Sequence, residues 1–221
     1  MKKLFIPIII FLALLILFIG YKVFSLFMYQ HLVNESSVLA DNQCLTVNPL
    51  IIERKNTYLK SMQAIKDDDQ EEYKKLTDHY FTISSRFVVA QKNWLVDDKA
   101  FMDKWEFKHF TPKYVQDAAK YQYTSFQADA ESTELLTESY QISQLNTSLS
   151  EEIAFKASDK IKIRNDAEKK YNDVWDNPGK LDWRTRFIRV PPTKCSDDNS
   201  NFPNTDLKDI FEPSPPDSPL T

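Results

Sequence analysis

Residues 4–20 read LFIPIIIFLALLILFIG and contain no charged and no polar side chain. A run of this composition lies at the short end of what a membrane-spanning helix needs, about 17–25 residues. Lys22 interrupts the run, and residues 23–28 are again apolar apart from Ser25. A lysine near a helix end can extend its ammonium group to the lipid headgroups. The pattern therefore predicts a single transmembrane helix within residues 1–29.

The basic residues beside this span predict its orientation. Lys2 and Lys3 precede the span, and only Lys22 follows it closely. Because lysine and arginine accumulate on the cytoplasmic side, we expect a cytoplasmic N-terminus and the bulk of the chain outside the cytoplasm. An MKK start followed by a plain signal-anchor is typical of bacteria, so the expected location is the bacterial inner membrane, with a periplasmic domain. The alternative is a signal peptide cleaved after Ala40, but the apolar run is longer than signal peptides usually carry.

The composition of the remaining chain favours an all-α fold. The net charge is −4 with acids and bases interspersed, which argues against a nucleic-acid-binding protein. The only glycines are Gly20 and Gly179. Phosphate-cradling loops and the turns of all-β folds need glycine, so we exclude Rossmann and P-loop nucleotide sites and regard a β fold as disfavoured.

The order of apolar and polar segments predicts five regions. Residues 1–29 form the cytoplasmic stub and anchor, and 30–47 a polar stalk without clear periodicity. Residues 48–177 form an antiparallel bundle of about four to five helices. Residues 178–195 are predicted to be a short extended arm, in which WRTRFIRV at 183–190 resembles a strand. Residues 196–221 are rich in proline, serine and aspartate and are expected to be disordered.

Start signals place the first helices of the bundle. Asn48-Pro49 predicts an N-cap followed by proline at the first helical position, with a helix over about 49–66. The acidic run at 66–72 predicts a break in which Asp68 or Asp69 caps the next helix. That helix is predicted over about 70–92, and a shorter one from about 97.

The second half of the bundle starts at Thr111-Pro112, which repeats the cap-and-proline signal. No glycine or proline follows until Pro178. A single helix of this length would be far longer than usual, so we predict two antiparallel helices. The break is expected either at 130–133 or at 146–150, where Ser148 and Glu151 have capping-box spacing.

Two groups of residues are candidates for an interaction surface. The first is the aromatic stretch Trp94, Phe101, Trp105, Phe107 and Phe110, which supplies either core packing or a ligand-binding surface. The second is the arm, where Trp183, Arg184, Arg186 and Arg189 either contact anionic lipid or an acidic partner or lie solvated or paired against the bundle. Cys44 and Cys195 are an even pair and predict one disulfide in an oxidising compartment, the alternative being two unpaired thiols.

No motif for catalysis, metal binding or cofactor binding is present, so we expect no cofactor and no enzyme activity. The first functional hypothesis is a membrane-anchored structural, adaptor or accessory subunit of a cell-envelope assembly, with a protein partner there. The alternative is a ligand-binding or sensing bundle that signals through a membrane partner. An enzyme without a recognisable motif is the least favoured class, because catalytic groups could still converge from distant positions.

Overall fold

The computed structural model describes residues 2–143, 145–176 and 182–191. All regular structure in these ranges is helical, which confirms the predicted all-α class. The helices are α1 (Lys2–Thr46), α2 (Asn48–Lys66), α3 (Gln70–Asp103), α4 (Trp105–Phe110), α5 (Lys113–Ser143) and α6 (Thr147–Trp175), followed by a 3-10 turn at Trp183–Arg186. Cys195, the predicted tail and residues 177–181 lie outside the described residues.

Helix α1 joins the apolar N-terminal run to the bundle without interruption. Its 45 residues correspond to about 68 Å at 1.5 Å per residue. Large apolar side chains from Ile9 to Ile19 are exposed, whereas Ser25, Tyr29 and Leu32 are buried against the bundle. Within the described residues, the helical stretch Ile9–Lys66 is the one candidate whose length and composition suit a membrane span.

The segment at 30–47 differs from the prediction of a non-periodic stalk. It is helical throughout, to Thr46, and Leu32 is almost completely buried at 2% exposure. Leu39 packs against the buried cluster of Leu32, Phe101, Phe107 and Phe110. Its carbonyl accepts a hydrogen bond of 3.0 Å from Trp94 Nε1. The segment is thus a packed part of the bundle.

The junction between α1 and α2 barely interrupts the helical path. Val47 has helical dihedrals (φ −97°, ψ −46°), and its N–H donates to Gln43 O at 2.8 Å. The predicted Asn48 cap is wrong, because Asn48 makes no side-chain cap bond and instead donates to Cys44 Sγ at 3.2 Å. Pro49 is tolerated because its missing N–H falls in the first turn of α2.

The turn from α2 to α3 confirms the predicted acidic cap. The Asp69 carboxylate accepts a 3.0 Å hydrogen bond from the Glu72 N–H. Helix α3 then continues through the break predicted near residue 93, and ends at Asp103. The break is absent because Trp94 and Leu95 extend the buried stripe of Phe87 and Val88, so tertiary packing favours one helix.

Helices α5 and α6 form the predicted antiparallel pair. The break lies between Ser143 and Thr147, which confirms the second of the two predicted positions and makes the first, at 130–133, wrong. The cap is Asn146, whose Oδ1 accepts from the Leu149 N–H at 3.1 Å, and not Ser148. Near the turn, the buried hydroxyls of Ser139 and Ser150 each donate to the other residue's carbonyl at 2.9 Å.

Two buried clusters hold the helices together. The upper cluster, farther from the apolar N-terminal run of α1, contains Val47, Phe87, Val88, Trp94 and Leu95. It joins the α1–α2 junction to α3. The lower one, nearer the apolar end of α1, contains Leu32, Phe101, Phe107 and Phe110. The lower cluster fixes the base of the bundle against α1.

The predicted strand at 183–190 is not formed. Residues 182–191, which we call the collar, begin with the 3-10 turn, and the rest has no regular structure. The Asp182 carboxylate accepts from the Arg184 N–H at 2.9 Å and caps this turn. No other strand is available among the described residues to supply a ladder, so local capping decides the conformation.

Candidate functional site

The aromatic stretch is mostly core. Trp94, Phe101, Phe107 and Phe110 are each 5–7% exposed, so in this fold they are unavailable as a surface. Trp105 is the exception, with 60% exposure, and its ring stacks on His109 at a centroid distance of 4.2 Å.

Arg184 fastens the collar to the bundle. Its guanidinium donates to both Asp182 oxygens at 2.9 and 2.8 Å, to Ser25 Oγ at 3.2 Å and to Phe110 O at 2.5 Å. These bonds join the collar to α1 and α4, and the hydrogen bond from Arg184 lowers the pKa of Asp182 below its usual range. Arg184 therefore has a structural role, whereas Trp183, Arg186 and Arg189 remain exposed.

A second tie lies further along the collar. Gln30 Nε2 donates to Arg189 O at 2.8 Å, and the Arg189 N–H donates to Gln30 Oε1 at 3.0 Å. Both bonds of this reciprocal pair use the Arg189 backbone, so the side chain of Arg189 remains free to extend outward.

The most distinctive cavity lies between helices α2, α3, α5 and α6. Its volume is about 410 Å³, within the range of small-molecule sites. Aromatic and aliphatic side chains form much of the wall: Ile51, Tyr58, Tyr80, Phe81, Leu136 and Ile161. Charged and hydroxyl groups from all four helices complete it.

Arg54 of α2 lies at this cavity without a carboxylate partner. No acidic oxygen of the described chain lies within salt-bridge distance of it, and its buried Nε has no hydrogen-bond partner there. Its Nη2 makes only long bonds, 3.3 Å to Tyr80 OH and 3.5 Å to Thr133 Oγ1. The guanidinium carbon lies 4.5 Å from the Phe87 ring centroid and 5.5 Å from that of Tyr80.

These ring contacts hold the guanidinium but do not neutralise it. Cation–π attraction stabilises a partly buried arginine by about 1 kcal/mol, whereas an unsatisfied buried donor costs about 1–3 kcal/mol. Arg54 thus has hydrogen-bond donors that lack an acceptor. A carboxylate or phosphate group would accept from them in charge-assisted hydrogen bonds, which are the strongest kind that arginine forms.

Other cavity residues add to this positive character. Arg164 bonds to Asp129 at 3.2 Å, which pairs those two charges within the wall. Lys55 also lines the cavity. Two arginines and one lysine less one aspartate leave a formal charge of +2. Ser84, which is 1% exposed, has a buried hydroxyl without a hydrogen-bond partner in the described chain.

The arrangement of these side chains is suited to binding a ligand. A cation with free donors, an unpartnered hydroxyl and aromatic walls is complementary to a small organic anion with an apolar body. The described residues hold no group of three or more histidine, cysteine, aspartate or glutamate side chains placed to bind a metal ion.

Sequence reasoning missed this cavity. The one available signal was Arg54 itself, three residues after Ile51 and four before Tyr58, which places a charge on an otherwise apolar side of α2. Such spacing also suits an ordinary snorkelling arginine, and the absence of a partner becomes visible only in the fold.

Comparison of the chain with protein-family models, with curated proteins and with solved structures gives no match in any of the three.

Proposed function

We propose that this chain is a membrane-anchored sensing bundle that binds a small organic anion in the cavity at Arg54. The observation that carries this proposal is the unpaired guanidinium in a cavity of about 410 Å³. Arg54 is half-buried and its buried Nε has no hydrogen-bond partner in the described chain, which costs stability; a bound anion that pairs with the guanidinium would recover part of that cost.

The position of Arg54 suggests how occupancy reaches the membrane. Arg54 lies in the second turn of α2, five residues after Pro49, and α2 continues the path of α1. An anion that draws α2 toward α3 and α5 would act on the same helical path that leads into the span. A partner protein in the membrane would respond to this displacement of the helix. The bundle itself would lie on the periplasmic side.

The direct test is thermal unfolding of the full-length chain in detergent with matched pairs of ligands. Phenylacetate and benzoate would be compared with the neutral phenylacetamide and benzamide, because a ligand that binds only the native state raises the melting temperature. We expect the acids to raise it and the amides to have little effect. Arg54→Gln should abolish the difference.

A matched control is Arg86→Gln on α3. Arg86 is 61% exposed and faces Glu53 at 3.7 Å, so the substitution removes the same charge outside the cavity. It should preserve the response to the acids. An equal response in the wild-type chain and Arg54→Gln would contradict the proposed site.

The adaptor hypothesis has a separate supporting observation. Ile52, Leu59 and Met62 are 38–54% exposed on one side of α2, where no helix of the described chain covers them. We propose this apolar stripe as a contact for a cell-envelope protein. Crosslinking in native membranes should capture such a partner, and Leu59→Ser/Met62→Ser should reduce the yield. Unchanged capture by the double variant would exclude the stripe as the contact.

A further inference from the structure

Three of the four tryptophans are exposed and lie toward the end of the bundle that faces the apolar run. Trp105, Trp175 and Trp183 are 60%, 44% and 41% exposed, whereas Trp94 is buried. Tryptophan is enriched where a membrane meets water, because its ring suits a layer that is half apolar and half wet. Their common location is unusual for a purely solvated surface.

Contacts with α1 fix the depth of this end. Lys22 Nζ lies 5.6 Å from the Trp183 ring centroid and 5.3 Å from that of Phe18. Phe24 packs edge-on against Phe110 at 5.5 Å, and Phe110 contacts Trp105 at 5.6 Å. A hydrocarbon core of about 30 Å accommodates about 20 residues of straight helix. A span that starts near Leu4 therefore leaves the hydrocarbon near Phe24, at the level of Trp183 and Trp105.

The collar places unpaired positive charge at the same level. Its sequence DWRTRFIRVP carries three arginines and one aspartate, which leaves a formal charge of +2. Asp182 forms an ion pair with Arg184. The guanidinium groups of Arg186 and Arg189 make no ion pair within the described chain. Phe187, which lies between these two arginines, is 66% exposed, and Val190, directly after Arg189, is 75% exposed. Alternating exposed apolar and cationic side chains suit the headgroup layer, where both find a partner.

We propose that the collar, together with Trp105, lies in the headgroup layer and binds anionic phospholipid through Arg186 and Arg189. Trp183 and Phe187 insert at the boundary of the acyl chains, and the guanidinium groups hydrogen-bond phosphate oxygens in the fork geometry that arginine favours. Arg184 positions this surface by holding the collar to α1 and α4. The surface is independent of the cavity at Arg54.

The test uses the full chain reconstituted in vesicles of phosphatidylcholine with one quarter phosphatidylglycerol. In one preparation phosphatidylglycerol carries bromine near the headgroup end of its acyl chains, and in the other an equal amount of phosphatidylcholine does. Bromine quenches tryptophan fluorescence at contact. We expect both brominated lipids to quench, because the exposed tryptophans at the membrane-facing end of the bundle touch lipid. Brominated phosphatidylglycerol should quench more.

The arginines are tested by Arg186→Gln/Arg189→Gln. The preference for the anionic lipid should fall by about fivefold for each arginine removed, and 0.5 M salt should reduce it in the wild-type chain. The matched control is Lys66→Gln/Lys74→Gln, which removes the same charge at the far end of α2 and the start of α3. It should retain the preference, and equal melting temperatures would show that both variants fold.

Two results would overturn the proposal. If neither brominated lipid quenched the fluorescence, the collar and Trp105 would lie away from the membrane. Equal quenching by the two brominated lipids in the wild-type chain, or the same preference in both double variants, would remove Arg186 and Arg189 as the lipid-binding groups.

Discussion

Asp68 takes a backbone conformation that usually belongs to glycine. Its φ is +55°, the one positive value at a non-glycine residue in the described chain. The N–H of Asp69 donates to Ala64 O at 2.9 Å, and that of Asp68 to Ile65 O at 3.1 Å, which is the hydrogen-bond pattern of a Schellman C-terminus. Aspartate tolerates this region better than most residues, yet it still pays a steric cost.

We predict that Asp68→Gly stabilises the chain by about 0.5–1 kcal/mol, because glycine adopts this conformation without that cost. Chemical denaturation of the full chain in detergent measures the change in the free energy of unfolding. Asp67→Gly is the control, since Asp67 has φ −86° and should lose stability on gaining backbone freedom. A loss of stability in both variants would contradict the prediction.

Asp98 is a second residue whose setting has a measurable consequence. Burial raises the pKa of its carboxyl to about 6. Because the folded-state pKa exceeds the unfolded one, the folded protein holds the proton more tightly. Its contribution to stability is therefore present at pH 4 and is lost as the pH rises through 6.

The neutral variant Asp98→Asn should thus be more stable than the wild type by about 1–2 kcal/mol at pH 8, and should show no gain at pH 4. Denaturation curves at the two pH values test this. The exposed neighbour Asp97 supplies the control, since Asp97→Asn should change stability little at either pH. A gain for Asp98→Asn that is equal at pH 4 and pH 8 would show that charge burial is not its cause.

At the scale of elements, small residues define the contact between α5 and α6. The buried positions include Ser125, Ala128, Ser132 and Ser139 on α5, and Ser150, Ala157 and Ala167 on α6. Small side chains let two helix backbones approach closely, and serine hydroxyls can then bond to carbonyls across the gap, as Ser139 and Ser150 do.

Ala157 has no exposed surface, so Ala157→Leu must displace the facing helix. We expect a loss of about 1–3 kcal/mol, the usual cost of overpacking a filled contact. Ala100→Leu introduces the same side chain at an exposed position of α3 and should cost little. Thermal unfolding of both variants compares them. A tolerated leucine at 157 would mean that the two helices are not closely packed there.

The sequence predicted the helices better than their ends. The cap at Asp69 was predictable because side-chain caps are local. The break near residue 146 was one of two predicted positions, although the predicted cap there, Ser148, was wrong. The continuity of α3 past residue 93 was not, since Trp94 and Leu95 decide it by tertiary packing. The helical nature of 30–47 had a weak signal, in the spacing of Tyr29, Leu32 and Leu39, but polar residues outnumber these three and obscure it.

At the scale of the whole molecule, the cavity at Arg54 could not be predicted. Its lining comes from α2, α3, α5 and α6, from Ile51 to Arg164, and sequence alone does not say which faces of four helices meet. The same holds for the collar, because its ties to Ser25 and Gln30 join residues 159 positions apart in sequence. The sequence alone showed only that this segment is aromatic and rich in arginine.

The placement of the collar bears on the predicted disulfide between Cys44 and Cys195. Gln30 and Arg189 lie side by side, and Cys44 is fourteen residues further along α1, or about 21 Å. From Arg189 to Cys195 an extended chain of six residues spans about 20 Å, and the two Cα atoms of a disulfide are themselves about 5.5 Å apart. A disulfide between Cys44 and Cys195 is therefore within the reach of six extended residues after Arg189.

We predict that peptide mapping of the full chain under non-reducing conditions finds a peptide that joins residues 44 and 195, because the expected compartment is oxidising. Such a bond closes a loop of about 150 residues and would stabilise the fold by up to about 5 kcal/mol. Cys195→Ser should then lower the melting temperature in oxidised protein, and reductant should lower that of the wild type to the same value. Alkylation of both cysteines without reductant would instead show two thiols, and would argue against a bundle in the periplasm.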